Sequence, residues 1–299
     1  MQLTLATRQS HLALIQAEEV KQLLMLNHPY LATELMPMST KGDQIQDRSL
    51  AELGGKGLFI KNLEAALVKG KADCAVHSLK DMPPQLDAGF EIIAVLKRLS
   101  PHDALVSKKG NLTELPPGSV IGTSSVRRRA ELLNFRPDLK TVFIRGNVGT
   151  RLRKLDEGFC DALILAEAGL MRLGLRERIT EILDTQRFLP SVGQGVIAIE
   201  ALSIRPDLKA LFTPFHDPDT FACIRAERAM NAALGANCTS PVGSFATVKN
   251  GLLSLQGMVL NENGQTKLHT CKTAPITEAT SLGQAAAQDL LAQGAAALF

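Results

Sequence analysis

Residues 119–165 read SVIGTSSVRRRAELLNFRPDLKTVFIRGNVGTRLRKLDEGFCDALIL, and apolar and polar stretches alternate along them. Short β-branched or apolar runs predict strands at 119–122, 141–144 and 161–165. Between them, apolar residues at helical spacing predict helices at 124–134 and 148–156, the second closed by Gly158. Strands that alternate with helices in this way indicate a parallel sheet with helices on both faces, so the predicted fold class is α/β.

The N-terminal part of the chain has the same alternation. Apolar runs predict strands at 3–6, 33–38, 72–77 and 91–95, with helices starting after Ser10 and spanning 58–68. A late apolar run at 191–201, SVGQGVIAIEA, predicts a strand that returns to this first domain. Two crossovers, near Leu99 and Pro190, would then join two lobes on either side of a hinged cleft.

The character of the sequence changes from Asp217 onwards. A helix at 219–234, strands at 242–248, 252–260 and 267–273, and an Ala-rich helix at 277–298 predict a C-terminal α+β domain with a three-stranded antiparallel sheet. We therefore expect a discontinuous first domain of residues 1–98 and 191–214, a second domain of 99–190 and a third domain of 215–299.

The composition is that of an ordinary globular protein. The chain has 299 residues, 33 Lys and Arg against 30 Asp and Glu, and 45% hydrophobic residues, which excludes disordered, collagen-like and disulfide-scaffold proteins. The first residues lack a secretory signal and no run approaches the ~20 apolar residues of a membrane span, so we expect a cytoplasmic protein without membrane contact. Five cysteines without a C-x-x-C pair predict reduced thiols and neither a disulfide framework nor a metal site.

Positive charge is concentrated in residues 120–178, which contain ten Arg and two Lys against seven acids. Three predicted strand-to-helix junctions, at 6–10, 122–128 and 145–151, combine small or hydroxyl residues with Arg. N–H groups at a helix start and nearby guanidinium groups bind carboxylates or phosphates, although ordinary helix capping beside solvated Arg gives the same pattern at any one junction. Because the sequence has no P-loop and no G-x-G-x-x-G motif after a strand, we expect a ligand with several carboxylates.

The segment 77–84, HSLKDMPP, places Lys80 and Asp81 at the end of a predicted strand. A carboxylate beside a cation in a cleft can stabilise a developing positive charge or move a proton. Alternatively, Asp81 only shapes the turn before the prolines. His77 is expected to be a packed strand residue rather than a ligand.

Two further segments could belong to a site. Residues 40–57 are polar and contain four Gly, which predicts an active-site flap or, alternatively, a short helical turn. Cys238 lies in a loop of small residues and is the cysteine placed to present its sulfur. The other four cysteines are expected to be buried, inert packing residues.

Eight motifs follow one another along almost the whole chain. They are ATRQS at 6–10, GGKGLF at 54–59, HSLKDMP at 77–83, IGTSSVRRR at 121–129, RGNVGTRLRKLDEG at 145–158, DALILAEAGLMRLG at 161–174, LPSVGQG at 189–195 and the loop Cys238-x-x-Pro-x-Gly. In these motifs and in their order the chain resembles the porphobilinogen deaminases, also called hydroxymethylbilane synthases.

The resemblance implies a fold and a reaction. The fold would comprise two doubly wound domains like those of type II periplasmic binding proteins, followed by the α+β domain, in a monomer. A dipyrromethane cofactor would be attached to Cys238 through a thioether. The enzyme, a transferase of porphyrin and haem biosynthesis, would join four porphobilinogens head to tail with loss of ammonia and then release linear hydroxymethylbilane by hydrolysis.

The resemblance also implies roles for individual residues. Asp81 would be the catalytic carboxylate, which contacts pyrrole N–H groups and assists proton transfer. The implied cofactor-binding residues are Cys238, Lys80, Asp81, Thr123, Ser124, Ser125, Arg127, Arg128, Arg145, Gly146 and Arg151. The implied substrate-binding residues are Arg8, Ser10, Lys56, Phe59, Arg145, Arg151, Arg172 and Gln194. Since every pyrrole unit carries two carboxylates, a growing chain accounts for the excess of Arg.

Two other functions would use parts of the same sequence. A non-catalytic, two-lobed carboxylate-binding protein would share the architecture, but it would need neither the Cys238 loop nor a third domain. A nucleic-acid-binding protein could use the basic residues 126–130. A chain with no Trp and one Tyr offers few residues for base stacking, so no nucleic acid partner is expected.

Overall fold

The structure is a computed structural model that describes residues 2–39, 60–237 and 239–298. Within these ranges the chain forms three β-sheets. The strands are β1 (Gln2–Arg8), β2 (Ala32–Met38), β3 (Cys74–Ser78), β4 (Phe90–Val95), β5 (Asp103–Ser107), β6 (Val120–Gly122), β7 (Lys140–Val142), β8 (Ala162–Ala166), β9 (Glu181–Leu183), β10 (Ile197–Leu202), β11 (Val242–Lys249), β12 (Leu252–Leu260) and β13 (Lys267–Pro275). The helices are α1 (His11–Asn27), α2 (Lys61–Val68), α3 (Val126–Phe135), α4 (Val148–Asp156), α5 (Glu167–Arg172), α6 (Pro206–Phe212), α7 (Pro218–Ala233) and α8 (Ala279–Ala292).

The first sheet has the strand order β2-β1-β3-β10-β4. Its strands β1, β2 and β3 are parallel, as the alternation of strands and helices predicts, whereas β10 runs antiparallel to both of its neighbours. One face is covered by α1, whose Ala17, Val20 and Leu24 pack on Leu3 and Leu5 of β1. Burying a leucine side chain contributes roughly 2 kcal/mol, so this core holds the strand ends in place. The sheet with α1 and α2 is called the first lobe below.

The second sheet has the order β7-β6-β8-β5-β9, with β6, β7 and β8 parallel and β5 antiparallel to both neighbours. In each sheet four strands therefore run in the same direction and one strand is reversed. In each sheet the reversed strand is the first one after the chain crosses from the other lobe. This topology confirms the predicted fold class of two doubly wound, periplasmic-binding-protein-like lobes joined by two crossovers. The second sheet with α3, α4 and α5 is called the second lobe.

The second crossover extends further along the chain than the sequence indicates. The prediction of a strand from residue 191 is wrong, because β10 begins only at Ile197. Gly193 and Gly195 precede it with φ angles of +67° and +84°, which interrupt an extended chain. A Cβ at Gly195 would overlap the carbonyl oxygen of Ser100, so the two crossovers touch at this point.

A single buried carboxylate connects both crossovers to the third domain. Glu227 of α7 is fully buried, and its Oε1 accepts hydrogen bonds from Arg98 Nη2 at 2.7 Å and from the Ala246 N–H at 2.9 Å. Its Oε2 accepts from the N–H of Gly193 at 2.8 Å. Since Arg98 lies in the first crossover, Gly193 in the second and Ala246 in β11, this carboxylate fixes the position of the third domain against the hinge.

The third sheet has the order β11-β12-β13 and is antiparallel, as predicted. The first helix of this domain, α7, begins at Pro218 because the Asp217 carboxylate caps it by accepting from the N–H of Thr220 at 2.7 Å. The last helix is shorter than predicted. It ends at Ala292, and Gly294 follows with a φ of +97°, a conformation that favours glycine.

Four short elements were not predicted: β5, β9, α5 and α6. The longest of them, α6, has seven residues, too few for a helical period to stand out in the sequence. The cysteine prediction is wrong at one position, since Cys74, Cys160 and Cys223 are buried but Cys271 is exposed. Among the described residues, no helix combines the length and the apolar character needed to cross a membrane.

Candidate active site

The carboxyl ends of strands from both lobes face one cleft. In the first lobe these are the ends of β1 and β3, and in the second lobe those of β6 and β7. Charged side chains interact electrostatically across the cleft, Lys80 with Arg128 and Arg151, and Asp81 with Arg151. Open α/β sheets bind ligands at this edge, so the structure brings together the junctions that the sequence analysis singled out.

Asp81 lies at the end of a single 3-10 turn, Leu79–Asp81, that directly follows β3. The buried Leu79 anchors this turn, because its N–H donates to the carbonyl of Val196 in the second crossover at 3.0 Å. The Asp81 carboxylate itself remains 34% exposed, and its Oδ2 accepts a hydrogen bond from Nη1 of Arg8 at 3.2 Å. The turn thus presents a carboxylate, positioned by a guanidinium, to the cleft.

A pocket of about 50 Å³ opens beside Asp81 in the first lobe. Its polar lining residues are Arg8, Ser10, Gln16, His77, Ser78 and Asp81. Ser10 precedes α1, but its hydroxyl does not cap the helix, so the capping alternative does not apply at this junction. Gln16 and Ser78 hydrogen bond to each other at 2.8 Å.

His77 is packed, as the sequence analysis expects. Its side chain is 3% exposed, and Nε2 lies 3.0 Å from Oε2 of the fully buried Glu200 on the neighbouring strand β10. His77 nevertheless lines the pocket that it shares with Asp81.

Lys80 adds a second cation to this side of the cleft. Solvent reaches its side chain, yet the surrounding protein removes part of its hydration and, together with the nearby cation Arg128, lowers the pKa of Lys80 to about 8. Asp81 partly offsets this effect by stabilising the charged ammonium. A cation in such surroundings is further stabilised by a bound anion.

Helix capping accounts for part of the pattern in the second lobe. Ser125 caps α3, its Oγ accepting from the N–H of Arg128 at 3.4 Å, and Oγ1 of Thr123 accepts from the N–H of Ser125 at 3.2 Å. Asn147 caps α4 by accepting from the N–H of Thr150 at 2.8 Å. Ser124 lies half-buried in the same turn as Thr123 and Ser125.

Arg145, Gly146 and Arg151 form the second junction of this lobe. The Nε of Arg151 donates to the carbonyl of Gly146 at 2.8 Å, and Gly146 has a φ of +115°. Burial, with the charges of Arg128 and Arg145, lowers the pKa of Arg151 to about 10. Positive charges this close together disfavour one another. Together these cations provide hydrogen-bond donors for a ligand with several carboxylates, so the cleft fits a group such as dipyrromethane.

Arg127 and Arg128 are buried beneath the cleft wall. Nη2 of Arg127 lies 2.8 Å from Oδ2 of Asp103, and its Nη1 donates to Glu131 at 2.6 Å and to the Leu189 carbonyl at 2.8 Å. Arg128 donates to Oδ1 of Asp103 through Nε at 3.0 Å and Nη2 at 2.7 Å. These two arginines hold the pKa of the buried Asp103 carboxyl well below its usual range.

Gln194 and Arg172 lie where the lobes meet. The amide of Gln194 is buried and bonded, with Nε2 donating to the Pro101 carbonyl at 2.7 Å and to Asp103 at 2.9 Å. Arg172, at the end of α5, donates through Nε to Oε2 of Glu19 on α1 at 3.0 Å. Arg172 therefore contacts the first lobe from the second.

Cys238, Lys56 and Phe59, with the predicted flap at 40–57, lie outside the described residues. Their roles remain predictions of the resemblance.

The sequence analysis missed Asp103 and Glu131, which hold the two buried arginines. Asp103 begins an apolar run, DALV at 103–106, and a carboxylate next to such a run is the signal that could have revealed it. Glu131 lies four residues after Arg127, a spacing at which side chains meet on a helix.

Comparison with known proteins identifies similar families along nearly the whole chain. A family model described as "Porphobilinogen deaminase, dipyromethane cofactor binding domain" matches residues 3–210, and one described as "Porphobilinogen deaminase, C-terminal domain" matches residues 221–292. The porphobilinogen deaminase of Chromobacterium violaceum is 48% identical over 298 residues, which cover 99% of this chain and 96% of that protein. The porphobilinogen deaminase of Thiobacillus denitrificans is 47% identical over 298 residues, covering 99% of this chain and 97% of that protein.

Solved structures with related backbones are more distant. A TRAP periplasmic solute binding protein from Desulfovibrio salexigens is 16% identical, with a TM-score of 0.45 and 72% of each chain covered. The aliphatic sulphonate binding protein SsuA from Escherichia coli is 13% identical, with a TM-score of 0.40 over 78% of this chain and 70% of that one.

Proposed function

Because the chain belongs to the porphobilinogen deaminase family, we propose that the cleft between its two lobes is the site at which porphobilinogen units are joined, with Asp81 as the catalytic carboxylate. The chain is an enzyme, a transferase of tetrapyrrole biosynthesis that condenses four porphobilinogens head to tail with loss of ammonia and releases hydroxymethylbilane. It carries a dipyrromethane cofactor. The alternative of a non-catalytic carboxylate-binding protein is not supported.

The observation that carries the proposal is the position of one accessible carboxylate among cations from both lobes. Asp81 is bonded to Arg8 of the first lobe and lies within electrostatic range of Arg151 of the second. Loss of ammonia leaves a cationic substrate carbon, which a fixed carboxylate stabilises without reorganisation. The same carboxylate can accept the proton that the acceptor ring releases after coupling.

The chain's cations bind the acetate and propionate groups. A bound dipyrromethane, attached at Cys238, supplies the acceptor pyrrole ring. The side chains proposed to hold it from the cleft walls are Lys80, Thr123, Ser124, Ser125, Arg145 and Arg151, with the backbone of Gly146. Those proposed to bind incoming substrate are Arg8, Ser10, Lys56, Phe59, Arg145, Arg151 and Arg172.

Arg127, Arg128 and Gln194 act from beneath this surface. Their polar groups are bonded to Asp103, Glu131 and the Leu189 and Pro101 carbonyls. We assign them a positioning role, with Arg128 also contributing its charge to the cleft, where it acts on both Lys80 and Arg151. This refines the ligand-binding role that the resemblance implies.

In this proposal the chain acts as a cytoplasmic monomer. Its first domain comprises residues 1–98 and 191–214, its second domain residues 99–190 and its third domain residues 215–299. Both walls of the cleft come from one chain, so a second copy is not needed to complete the site. The free thiols of Cys74, Cys160 and Cys223 suit a reducing compartment. Light scattering on purified protein tests the monomer, since a mass twice that of the chain contradicts it.

Intact mass of the denatured protein tests the site. We expect the wild type to exceed the polypeptide mass by two pyrrole units and to gain single units during incubation with porphobilinogen, whereas Cys238→Ala stays at the polypeptide mass. Asp81→Asn should retain the two-unit excess and turn over at least about a hundredfold more slowly, because an amide neither accepts the proton nor stabilises the cation. Near-normal turnover of Asp81→Asn would remove Asp81 from the mechanism.

A further inference from the structure

His77 and Glu200 form a buried pair directly behind the pocket that contains Asp81. Nε2 of His77 lies 3.0 Å from Oε2 of Glu200, with the two side chains 3% and 0% exposed. The other ring nitrogen, Nδ1, makes no hydrogen bond to any described residue. A histidine held at one nitrogen by a carboxylate has its tautomer fixed, with the proton on the nitrogen that faces the carboxylate. Nδ1 is then the nitrogen that can accept a proton.

His77 and Asp81 share one pocket. Both residues line it, together with the hydroxyls of Ser10 and Ser78 and the amide of Gln16. A volume of about 50 Å³ exceeds the ~10–15 Å³ that a water molecule needs, and the lining offers more than the two polar partners that hold one. The pocket is therefore suited to water that can carry a proton.

Charged groups surround the pair of His77 and Glu200. Glu200 of β10, Lys61 of α2 and Asp87 of the loop before β4 act electrostatically on Glu64 of α2, Arg228 of α7 interacts with Glu200, and Arg8 and Asp81 line the pocket. The carboxylates of Glu200 and Glu64 are buried close to the ring, and burial, with the charge of Glu200, raises the pKa of Glu64 to about 7. A positive charge on His77 stabilises the ionised Glu64 carboxylate.

We propose that His77, held by Glu200, is a positioning residue that takes over the proton which Asp81 removes from the acceptor ring and so restores the Asp81 carboxylate before the next coupling. The inference rests on the catalytic role proposed for Asp81. It assigns a use to a buried pair that has no role in the proposed binding of substrate and cofactor.

The proton balance closes over one coupling. The aminomethyl group reacts in its protonated form: its C–N bond breaks, and nitrogen keeps the electron pair and leaves as ammonia. A C–C bond forms to the acceptor ring, whose carbon then gives its proton to Asp81 while the C–H electrons restore the aromatic ring. Water passes this proton to Nδ1 of His77. His77 then releases the proton to solvent, where the ammonia that has left takes it up as ammonium, and Asp81 and His77 return to their initial states.

The pH dependence of turnover in the holoenzyme tests this relay. We expect His77→Gln, whose amide can still donate to Glu200, to lower kcat by about ten- to a hundredfold with little change in KM. The remaining rate should lose one limb of the wild-type pH profile and rise with the concentration of a small buffer such as imidazole. A residue with only a packing role would lower the rate equally at all pH values and buffer concentrations, and that result would overturn the proposal.

A matched control is available in the same lobe. His28 lies at the other end of α1, about 25 Å from the pocket along its 17 residues. Its Nε2 is also hydrogen bonded, 2.7 Å from the Leu211 carbonyl. His28→Gln should reproduce the wild-type pH profile.

A measurement on the wild type covers the case in which His77→Gln does not fold. Nitrogen-15 NMR of the His77 ring in the holoenzyme reports its protonation directly. We expect Nε2 to carry the proton in the neutral ring, and Nδ1 to gain one within the pH range of turnover. A ring that stays in one protonation state throughout that range would overturn the relay. If Asp81→Asn retains turnover, the proposal for Asp81 fails instead.

Discussion

Replacing Glu227 with glutamine tests whether the third domain is fixed to the hinge through one buried carboxylate. Glu227 accepts hydrogen bonds from Arg98 in the first crossover, from the Gly193 N–H in the second and from the Ala246 N–H in β11. Glutamine has almost the same shape. It removes the negative charge and replaces one accepting oxygen with an N–H₂ group that faces donors.

The expected loss is large because the site is dry. The Glu227 side chain is fully buried and that of Arg98 is 10% exposed, and leaving one partner of a buried ion pair without the other costs about 3–5 kcal/mol. One of the three donors also loses its acceptor, at the lower end of about 1–3 kcal/mol. A loss of this size lowers the Tm of a chain this long by about 6–10 °C.

Differential scanning calorimetry of the holoenzyme measures the shift. Limited proteolysis adds a local readout, since we expect Glu227→Gln to be cut faster in the two crossovers, residues 96–102 and 184–196. Glu157→Gln is the control, because its ion pair with Arg153 lies on the surface with the two side chains 63% and 70% exposed. Such a pair contributes about 0–1 kcal/mol, so its loss should leave Tm nearly unchanged.

A Tm within about 2 °C of the wild type, with unchanged cleavage of the crossovers, would show that the carboxylate is dispensable at the hinge. Since both outcomes are read on folded holoenzyme, turnover does not enter the comparison.

Two further perturbations follow from the fold. Burial and the charge of Glu200 raise the pKa of Glu64 to about 7, so the folded protein holds this proton more tightly than the unfolded chain and loses that advantage as the proton leaves. Glu64→Gln should therefore become more stable relative to the wild type as pH rises from 4.5 to above 7, by up to roughly 3 kcal/mol. Equal pH dependence of denaturant unfolding in both proteins would contradict this. Gly195→Ala should lower the free energy of unfolding by at least about 2 kcal/mol, because the new Cβ adds overlap with the Ser100 carbonyl to the strain of a positive φ. Gly89→Ala is the control: with a φ of +95° and open space around its Cβ, it should show the strain alone. Equal losses of stability in both variants would argue against a tight contact of the crossovers.

The architecture could be predicted from the sequence because its regular elements are local. Helix α4 has the predicted bounds, Val148–Asp156, because Asn147, Gly158 and the apolar spacing between them lie within one short stretch. Strand β5 was not predicted because a five-residue strand reversed between two neighbours carries no periodic signal of its own. Its place in the sheet depends on chain segments that follow it by more than fifty residues.

The candidate site could be located from the sequence but not sorted into roles. Strand-to-helix junctions identify which edge of a sheet carries a ligand, and they indicated Arg8 and Arg151. Asp81 was indicated separately, by the segment 77–84 at the end of a predicted strand. Adjacent residues of one motif cannot show which side chains reach the cleft. Arg127 and Arg128 have identical local contexts, and only packing against Asp103, more than twenty residues away, shows that both are anchored below the surface.

The interleaving of the two lobes imposes an order on how the chain is built. The second lobe can complete its sheet as soon as β9 has been synthesised, because all its strands lie between Asp103 and Leu183. The first lobe cannot, since β10 fills the gap between β3 and β4. At ~5–20 residues per second, β10 leaves the ribosome ~5–20 s after β4. The N-terminal lobe of a nascent chain therefore waits with an open sheet, and the lobe translated later is the first to reach its native state.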